Sequence, residues 1–170
     1  MGADVMRWLY TSQNPQFNLN FGYTPAKEVN RYLTVIWNLG NYVNSYCKNK
    51  AKTESDDIVS KWIISRRENV KEFVTSKLDS LQPHLAISEI KKNLLEDLSR
   101  TYGQSIRNKL DDPKIQLTLY NSYLEGLKLL SSFLPFITEK LYQEIYRKKE
   151  SIFLEDWPVL NKKLINKRLE

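Results

Sequence analysis

The sequence predicts an all-α protein built as an antiparallel helix bundle. Apolar residues recur at helical spacing along almost the whole chain, and the only strand-like pattern is the short stretch 152–154. Capping residues and prolines divide the chain into segments, four of them roughly 15 to 27 residues long. Only 5 glycines and 6 prolines occur among 170 residues, too few for a turn-rich β-sandwich. Short loops between helices of this length favour antiparallel neighbours.

The first two predicted helices lie on either side of an aromatic, polar loop. A short helix covers residues 3–13, and the loop covers 14–23. The second helix begins with Thr24 as its N-cap and Pro25 at the first helical position, where a missing backbone N–H removes no hydrogen bond. Its apolar stripe consists of Val29, Tyr32, Leu33, Ile36, Leu39, Val43 and Tyr46.

The third predicted helix follows a charged linker over residues 48–54. Ser55 is its expected N-cap. Asp56 and Asp57 fall in its first turn, where carboxylates interact favourably with the helix dipole. The helix is expected to run to about Leu81.

Prolines set the boundaries of the remaining helices. The fourth covers 84–110 and the fifth 113–133. Pro135 then forces a break, because a proline inside a helix removes a hydrogen bond and clashes with the preceding turn. The sixth helix covers 136–149, and 151–170 is irregular with a basic amphipathic end.

Charge and composition narrow the possible functions. The net charge is +6, a moderately basic balance that permits nucleic-acid binding without specifying it. No apolar run approaches the roughly 20 residues that cross a bilayer, so we expect no membrane partner. A single cysteine, Cys47, excludes an internal disulfide, and with the single histidine, His84, it argues against a metal site. We therefore expect the cytoplasm, a reducing compartment.

The sequence contains no catalytic signature. Phosphate-binding glycine loops, zinc-binding His-Glu-x-x-His and nucleophile elbows are all missing from it. Paired carboxylates occur only at predicted helix ends, exposed faces or loops, where acids act as caps and solubilising groups. We expect no catalytic residue in this chain taken alone. These carboxylate pairs are Asp56-Asp57, Glu96-Asp97, Asp111-Asp112 and Glu155-Asp156.

Arg66 interrupts the apolar pattern of the third helix. At about 100° per residue it falls in the middle of the apolar face, whereas Arg67 and Lys71 fall towards the other side. An inward charge needs a partner. Arg66 either reaches the bundle edge along its apolar stem or forms a fixed ion pair that orients the bundle against another domain.

The fourth helix carries a polar face with two arginines. Arg100, Gln104 and Arg107 lie opposite its apolar stripe, and such a mix suits contacts to phosphates and base edges. In a regular α-helix the two arginines are nearly eclipsed and about 10.5 Å apart along the axis. The outward cations of the third helix, named above, would extend this track. The competing interpretation is an ordinary solvated face, which Glu96 on the same side favours.

The second helix has an unusual second face. Trp37 lies there among the amides of Asn30, Asn41 and Asn44. A tryptophan in this setting stacks on a nucleobase or packs against a neighbouring domain, and both interpretations stay open.

Six strings resemble, in the same order, motifs of class I aminoacyl-tRNA synthetases of the isoleucyl, valyl and leucyl group. The first follows the catalytic core in that family, the second opens the anticodon-binding domain, and the last closes it. The third string contains Trp62 and Arg66, and the last contains Trp157. The resemblance implies that these three residues have a structural role. The DLSR and LEDWP strings are most similar to isoleucyl members. The strings are GADVMRW (2–8), RYLTVIWNL (31–39), WIISR (62–66), EDLSRTY (96–102), LPFITEKLYQ (134–143) and SIFLEDWP (151–158).

The resemblance implies a helical-bundle domain that grips the anticodon stem-loop of tRNA. ATP and Mg belong to the parent's catalytic domain, whose HIGH and KMSKS motifs do not occur here. We therefore expect a monomeric, non-catalytic, cofactor-free fragment whose partners are the tRNA anticodon stem-loop and the parent's catalytic domain. It would comprise a connector (1–23), the anticodon-binding bundle (24–150) and a C-terminal tail (151–170). Arg67, Lys71, Arg100, Gln104, Arg107 and Trp37 are the candidate RNA-binding residues.

Some positions depart from the family pattern. Thr101 stands where isoleucyl enzymes carry a tryptophan, and Ser60-Lys61 replaces an aspartate before the WIISR string. The arginine-rich continuation is reduced to Arg107 and Lys109. Two alternatives therefore stay open: a valyl or leucyl parent, or a helical protein-interaction module that has lost RNA binding.

Overall fold

The computed structural model describes residues 2–147 and 149–169, and every regular element in them is helical. The predicted all-α helix bundle is confirmed. Two 3₁₀ turns follow the last helix, and the first of them occupies the strand-like stretch 152–154. The elements are α1 (Ala3–Thr11), α2 (Tyr23–Tyr46), α3 (Ile58–Asp79), α4 (Pro83–Lys92), a π-helical stretch (Asn93–Tyr102), α5 (Gly103–Ser105), α6 (Pro113–Ser131), α7 (Pro135–Ile145) and the 3₁₀ turns Ile152–Leu154 and Lys162–Leu164.

One apolar core joins all the long helices. α6 lies at its centre and contacts α2, α3, α7 and the π-helical stretch. Buried tyrosines cross the core with their hydroxyls satisfied: Tyr123 donates to the carbonyl oxygen of Ile36 at 2.8 Å, and Tyr102 lies 2.9 Å from Ser60 Oγ. α1 adds Trp8 to the same core. Of the helices in the described ranges, none has the length and hydrophobicity that a bilayer span requires.

Two predicted caps are wrong. α2 begins at Tyr23 after Gly22, and Thr24 does not cap it. At α3 the cap is Asp57, whose carboxylate accepts from the N–H groups of Val59 and Ser60. Ser55 lies too early in the chain to cap and instead donates to the Asp57 carboxylate at 2.6 Å.

The fourth helix is not one regular α-helix. α4 continues into the π-helical stretch, and the helix ends with α5 at Ser105. Arg107 therefore lies in the turn after α5. The eclipsed, 10.5 Å spacing of Arg100 and Arg107 expected from α-helical geometry does not apply.

The segment after Pro158 lies along α3. Lys71 Nζ donates to the carbonyl oxygen of Val159 at 3.0 Å, and the N–H of Asn161 donates to Glu68 at 2.8 Å. The N–H of Asn166 donates to Ser65 Oγ at 2.8 Å. This segment, which we call the tail, therefore covers a face of α3 that would otherwise meet solvent.

Candidate nucleic-acid interface

A groove runs between α2 and the helical run formed by α4, the π-helical stretch and α5. We call it the α2 groove. Its two parts enclose about 510 Å³ and 750 Å³, and Val35, Ser99 and Gln104 line both. The smaller part contains Arg31 and Arg100, and the larger part contains Arg107.

The structure brings Arg100, Gln104 and Arg107 together in this groove. All three side chains are exposed, and among the described residues neither arginine has an ion-pair partner. An exposed guanidinium with no carboxylate partner is free to make bidentate contacts to a phosphate. The predicted polar face is therefore available for an RNA, although Arg107 reaches it from a turn.

Sequence reasoning missed Arg31, which is exposed and lies in the smaller part of the groove beside Arg100. Projecting α2 about its axis would have shown Arg31 about 40° from Val35, at the edge of the apolar stripe. Acidic side chains line the groove as well: Glu28 and Glu96 in the smaller part and Asp111 in the larger part. The positive charges of the groove are therefore separated by acidic side chains and do not form a continuous basic surface.

Trp37 lies away from the α2 groove. It is half-buried and packs against the core of its own bundle. On the helix it is rotated roughly 160° from Val35, which lines the groove. A single surface containing both Trp37 and the two groove arginines is therefore excluded by the geometry of α2.

Arg67 and Lys71 were expected to extend the basic track, and this prediction is wrong. They are only 6% and 3% exposed. Arg67 pairs with Glu54 at 2.7 Å, and Lys71 pairs with Glu68 at 2.7 Å and Glu125 at 2.9 Å. The face of α3 assigned to solvent is covered by α6 and the tail, which a projection of one helix does not reveal. Burial opposes the charge of Arg67, but hydrogen bonds to Glu54 and the charge of Glu125 outweigh it and raise the Arg67 pKa.

Arg66 forms a fixed ion pair within the bundle. Its Nε donates to Asp97 Oδ2 at 3.0 Å and its Nη2 to Glu89 Oε1 at 2.9 Å, with the side chain 15% exposed. Of the two interpretations offered by the sequence, the structure shows the ion pair, made to the helical run after α3 rather than to another domain. Of the two motif tryptophans, Trp62 packs on the core, and Trp157 Nε1 donates to Thr75 Oγ1 of α3 at 2.9 Å.

Groups with reactive chemistry are sparse. Cys47 is buried, and burial raises its thiol pKa to about 12, which keeps it protonated and unreactive at neutral pH. Within residues 2–147 and 149–169, no group of three or more His, Cys, Asp or Glu side chains is placed to hold a metal ion.

Comparison with known proteins agrees with this geometry. Residues 60–170 match the family model described as the anticodon-binding domain of tRNA ligase. The isoleucine–tRNA ligase of Methanothrix thermoacetophila is 33% identical over 190 residues, and that of Thermus thermophilus is 28% identical over 189 residues. Each match covers 99% of this chain but 18% of the relative, so the chain spans less than a fifth of the length of these relatives.

The same fold occurs in a solved complex. The LeuRS in the Agrobacterium radiobacter K84 LeuRS–tRNA–LeuAMS ternary complex superposes with a TM-score of 0.75 at 17% identity, over 97% of this chain and 20% of that chain. At this identity the similarity shows the shared fold alone. The resemblance drawn from the six sequence strings is confirmed by the family model and by the isoleucine–tRNA ligase matches. Because the family model covers more than half of its residues, this chain belongs to the anticodon-binding domain family of tRNA ligases.

Proposed function

We propose that this chain binds the anticodon stem-loop of tRNA through the α2 groove. The observation that carries the proposal is the placement of Arg100, Gln104 and Arg107 in one exposed groove of an anticodon-binding domain. A hairpin loop offers phosphates and unstacked bases at its surface. Guanidinium groups suit the phosphates and amide groups suit the base edges.

The charge pattern favours discrete contacts over general polyanion binding. Glu28, Glu96 and Asp111 alternate with the groove cations and repel any phosphate that does not lie at an arginine. A folded loop can place two phosphates at Arg100 and Arg107 and keep its remaining phosphates away from the acids. We therefore propose recognition of a structured loop rather than of any single strand.

We also propose that the parent protein is an isoleucine–tRNA ligase. The relatives that align with this chain over nearly its full length carry that name, in archaea and in Thermus thermophilus. ATP and amino-acid chemistry would then belong to the parent's catalytic domain, the second partner of this bundle. We further propose that the parent is a monomer and that it works in the cytoplasm.

A salt titration tests the RNA contact. A fluorescently labelled anticodon stem-loop is titrated with the wild type and with the Arg100→Ala, Arg107→Ala variant at several salt concentrations. Each lost phosphate contact should flatten the logarithmic salt dependence by about 0.7 to 0.9, so the double variant should lose about 1.5 units of slope and bind more weakly.

A control variant removes the same charge elsewhere. Lys140 and Lys163 are exposed and lie outside the groove, on α7 and in the tail. Lys140→Ala, Lys163→Ala should leave the slope near the wild-type value. An unchanged slope in the arginine variant would remove Arg100 and Arg107 from the interface, and a wild type that does not bind the stem-loop would overturn the proposed function.

A further inference from the structure

The π-helical stretch decides which side chains of the helical run line the smaller part of the α2 groove. Its hydrogen bonds join residues five positions apart, so such residues lie about one turn apart on the same face. In a regular α-helix they would point in directions that differ by about 140°. The side chains that the run contributes to this part of the groove form three such pairs: Lys91 and Glu96, Leu95 and Arg100, and Ser99 and Gln104.

The end of the stretch shows the same bonding. The N–H of Gly103 donates to the carbonyl oxygen of Leu98, five positions earlier. A Cβ at position 103 would lie 3.3 Å from that oxygen, closer than side chains normally approach, so the glycine leaves room for this bond. The wider winding therefore continues to the point where Gln104 enters the groove.

The buried side of the run does not require this winding. Leu94, Leu98, Tyr102 and Ile106 are buried and are spaced four residues apart. That spacing lies between the α turn of about 3.6 residues and the wider π turn, so the core accepts either winding over a short stretch. A π-helix is rare and occurs frequently at functional sites. The winding has its main effect on the groove side, where it alone places Arg100 one turn after Leu95.

We propose that the π-helical stretch is a positioning element for RNA binding, because its winding turns Arg100 into the α2 groove. This inference rests on the proposed function, since it takes a phosphate of the bound RNA loop as the partner of Arg100. Two contacts hold the buried side of the stretch. Asp97 accepts a hydrogen bond from Arg66 Nε at 3.0 Å. The Tyr102 hydroxyl lies 2.9 Å from Ser60 Oγ. Because these contacts fix the rotation of the stretch, Arg100 faces the groove before the RNA arrives.

The first experiment removes one residue from the stretch. Thr101 is exposed and does not line the groove. Deleting it leaves the four buried residues at spacings of four, three and four, which a regular α-helix places on one face. The variant should fold, with Arg100 now about 140° from Leu95. The logarithmic salt dependence of stem-loop binding should flatten by about 0.7 to 0.9, the contribution of one phosphate contact. Thr101→Ala keeps the chain length and should bind like the wild type.

Arginine substitutions in the deletion variant separate positioning from a general loss of affinity. Arg100→Ala should leave the slope of the deletion variant unchanged, because that side chain no longer reaches the RNA. Arg107→Ala should still flatten it by about 0.7 to 0.9. A wild-type slope in the deletion variant, or a further loss on Arg100→Ala, would show that Arg100 contacts the RNA with either winding and would overturn the proposal. A urea midpoint far below the wild-type value would overturn it too, by showing that the core depends on the π winding.

The second experiment tests the winding at full chain length. In the Arg100→Ala background, Leu95→Arg should restore most of the lost slope, because position 95 lies one π turn before position 100 and lines the same part of the groove. Thr101→Arg in the same background is the matched control and should restore none of it. No recovery at position 95, or equal recovery at both positions, would overturn the positioning role while the wild type still binds. A wild type that does not bind the stem-loop would overturn the proposed function and this inference together.

Discussion

Arg66 of α3 and Asp97 of the π-helical stretch are joined by a hydrogen bond of 3.0 Å from Nε to Oδ2. The same guanidinium reaches Glu89 on α4, so one side chain ties α3 to two consecutive parts of the helical run that follows it. Burial would lower the Arg66 pKa, but the charges and hydrogen bonds of Asp97 and Glu89 outweigh it and raise the pKa. Arg66 therefore stays charged throughout the pH range in which the protein folds.

Removing this side chain should be costly. We expect Arg66→Ala to lower the free energy of unfolding by about 2–4 kcal/mol, because two largely buried carboxylates lose their cation. Urea unfolding followed by circular dichroism measures this. Arg100→Ala, which removes an exposed arginine from the neighbouring helical run, should stay within about 0.5 kcal/mol of the wild type. An Arg66→Ala loss as small as that of the control would show that the ion pair contributes little.

Lys71 should act on stability and not on RNA binding. Lys71→Met removes a buried cation that faces Glu68 and Glu125, so we expect a loss of about 3 kcal/mol. Adding Glu68→Gln should cost less than the sum of the two single changes, because a neutral amide then replaces the buried Glu68 carboxylate that lost the Lys71 cation. The salt slope of stem-loop binding should match the wild type. A flatter slope would instead favour the original sequence prediction of an RNA contact.

Gly40 marks the closest approach of α2 to its neighbours. A Cβ at this position would lie 2.7 Å from Leu141 Cδ2 and 2.7 Å from the Tyr123 hydroxyl. That hydroxyl is held by its bond to Ile36, so it cannot move away without losing a buried hydrogen bond. Gly40→Ala should therefore destabilise by about 1–2 kcal/mol, although alanine is the better helix former. In thermal unfolding, Asn41→Ala on the exposed side should be neutral or stabilising, and a stabilised Gly40→Ala would contradict the close contact.

Asp57 should make stability depend on pH. Burial opposes its charge, but hydrogen bonds from Ser55, Ser60 and Val59 outweigh this and lower the Asp57 pKa. A lowered pKa means that the contribution is fully present above the unfolded pKa of about 4 and is lost as pH falls through the folded value. Asp57→Ala should cost about 1 kcal/mol at pH 7, and the difference from the wild type should shrink below about pH 4. Asp57→Asn, which also caps, should lose less at pH 7; a gap that does not change with pH would contradict the role of the charge.

The helices were predictable because their signal is local. Apolar periodicity and the prolines at 113 and 135 locate α6 and α7 to within a few residues, and the inward position of Arg66 made an ion pair one of its two interpretations. Each of these depends on residues close together in the sequence. The π-helical winding was not predictable from the same signal, since apolar residues at helical spacing do not distinguish i to i+4 from i to i+5 hydrogen bonding.

The candidate site was predictable in part, because the periodicity of a helix identifies its polar faces but not which of them other segments cover. Arg100 and Gln104 lie on the predicted polar face, Arg107 joins them from the turn after α5, and the groove keeps all three exposed. Arg67 and Lys71 share an equally polar face, but residues from α6 and the tail cover it. Whether a polar face meets solvent depends on contacts between segments far apart in the chain, which the periodicity of one helix does not contain.

The attachment of the tail to α3 bears on the order in which the chain folds. The three hydrogen bonds described above between the tail and α3 join residues 88 to 101 positions apart, whereas α3 and α4 are neighbours in sequence. Closing so long a loop costs more conformational entropy than forming local contacts, so we expect the tail to dock after the bundle has formed. Hydrogen exchange should show the amides of Asn161 and Asn166 opening at lower free energy than those of α3. If the tail docks late, Lys71 and Glu68 lose their hydrating water in the same step in which Val159 and Asn161 become their hydrogen-bond partners. The folding chain therefore does not bury these two charges before those partners arrive.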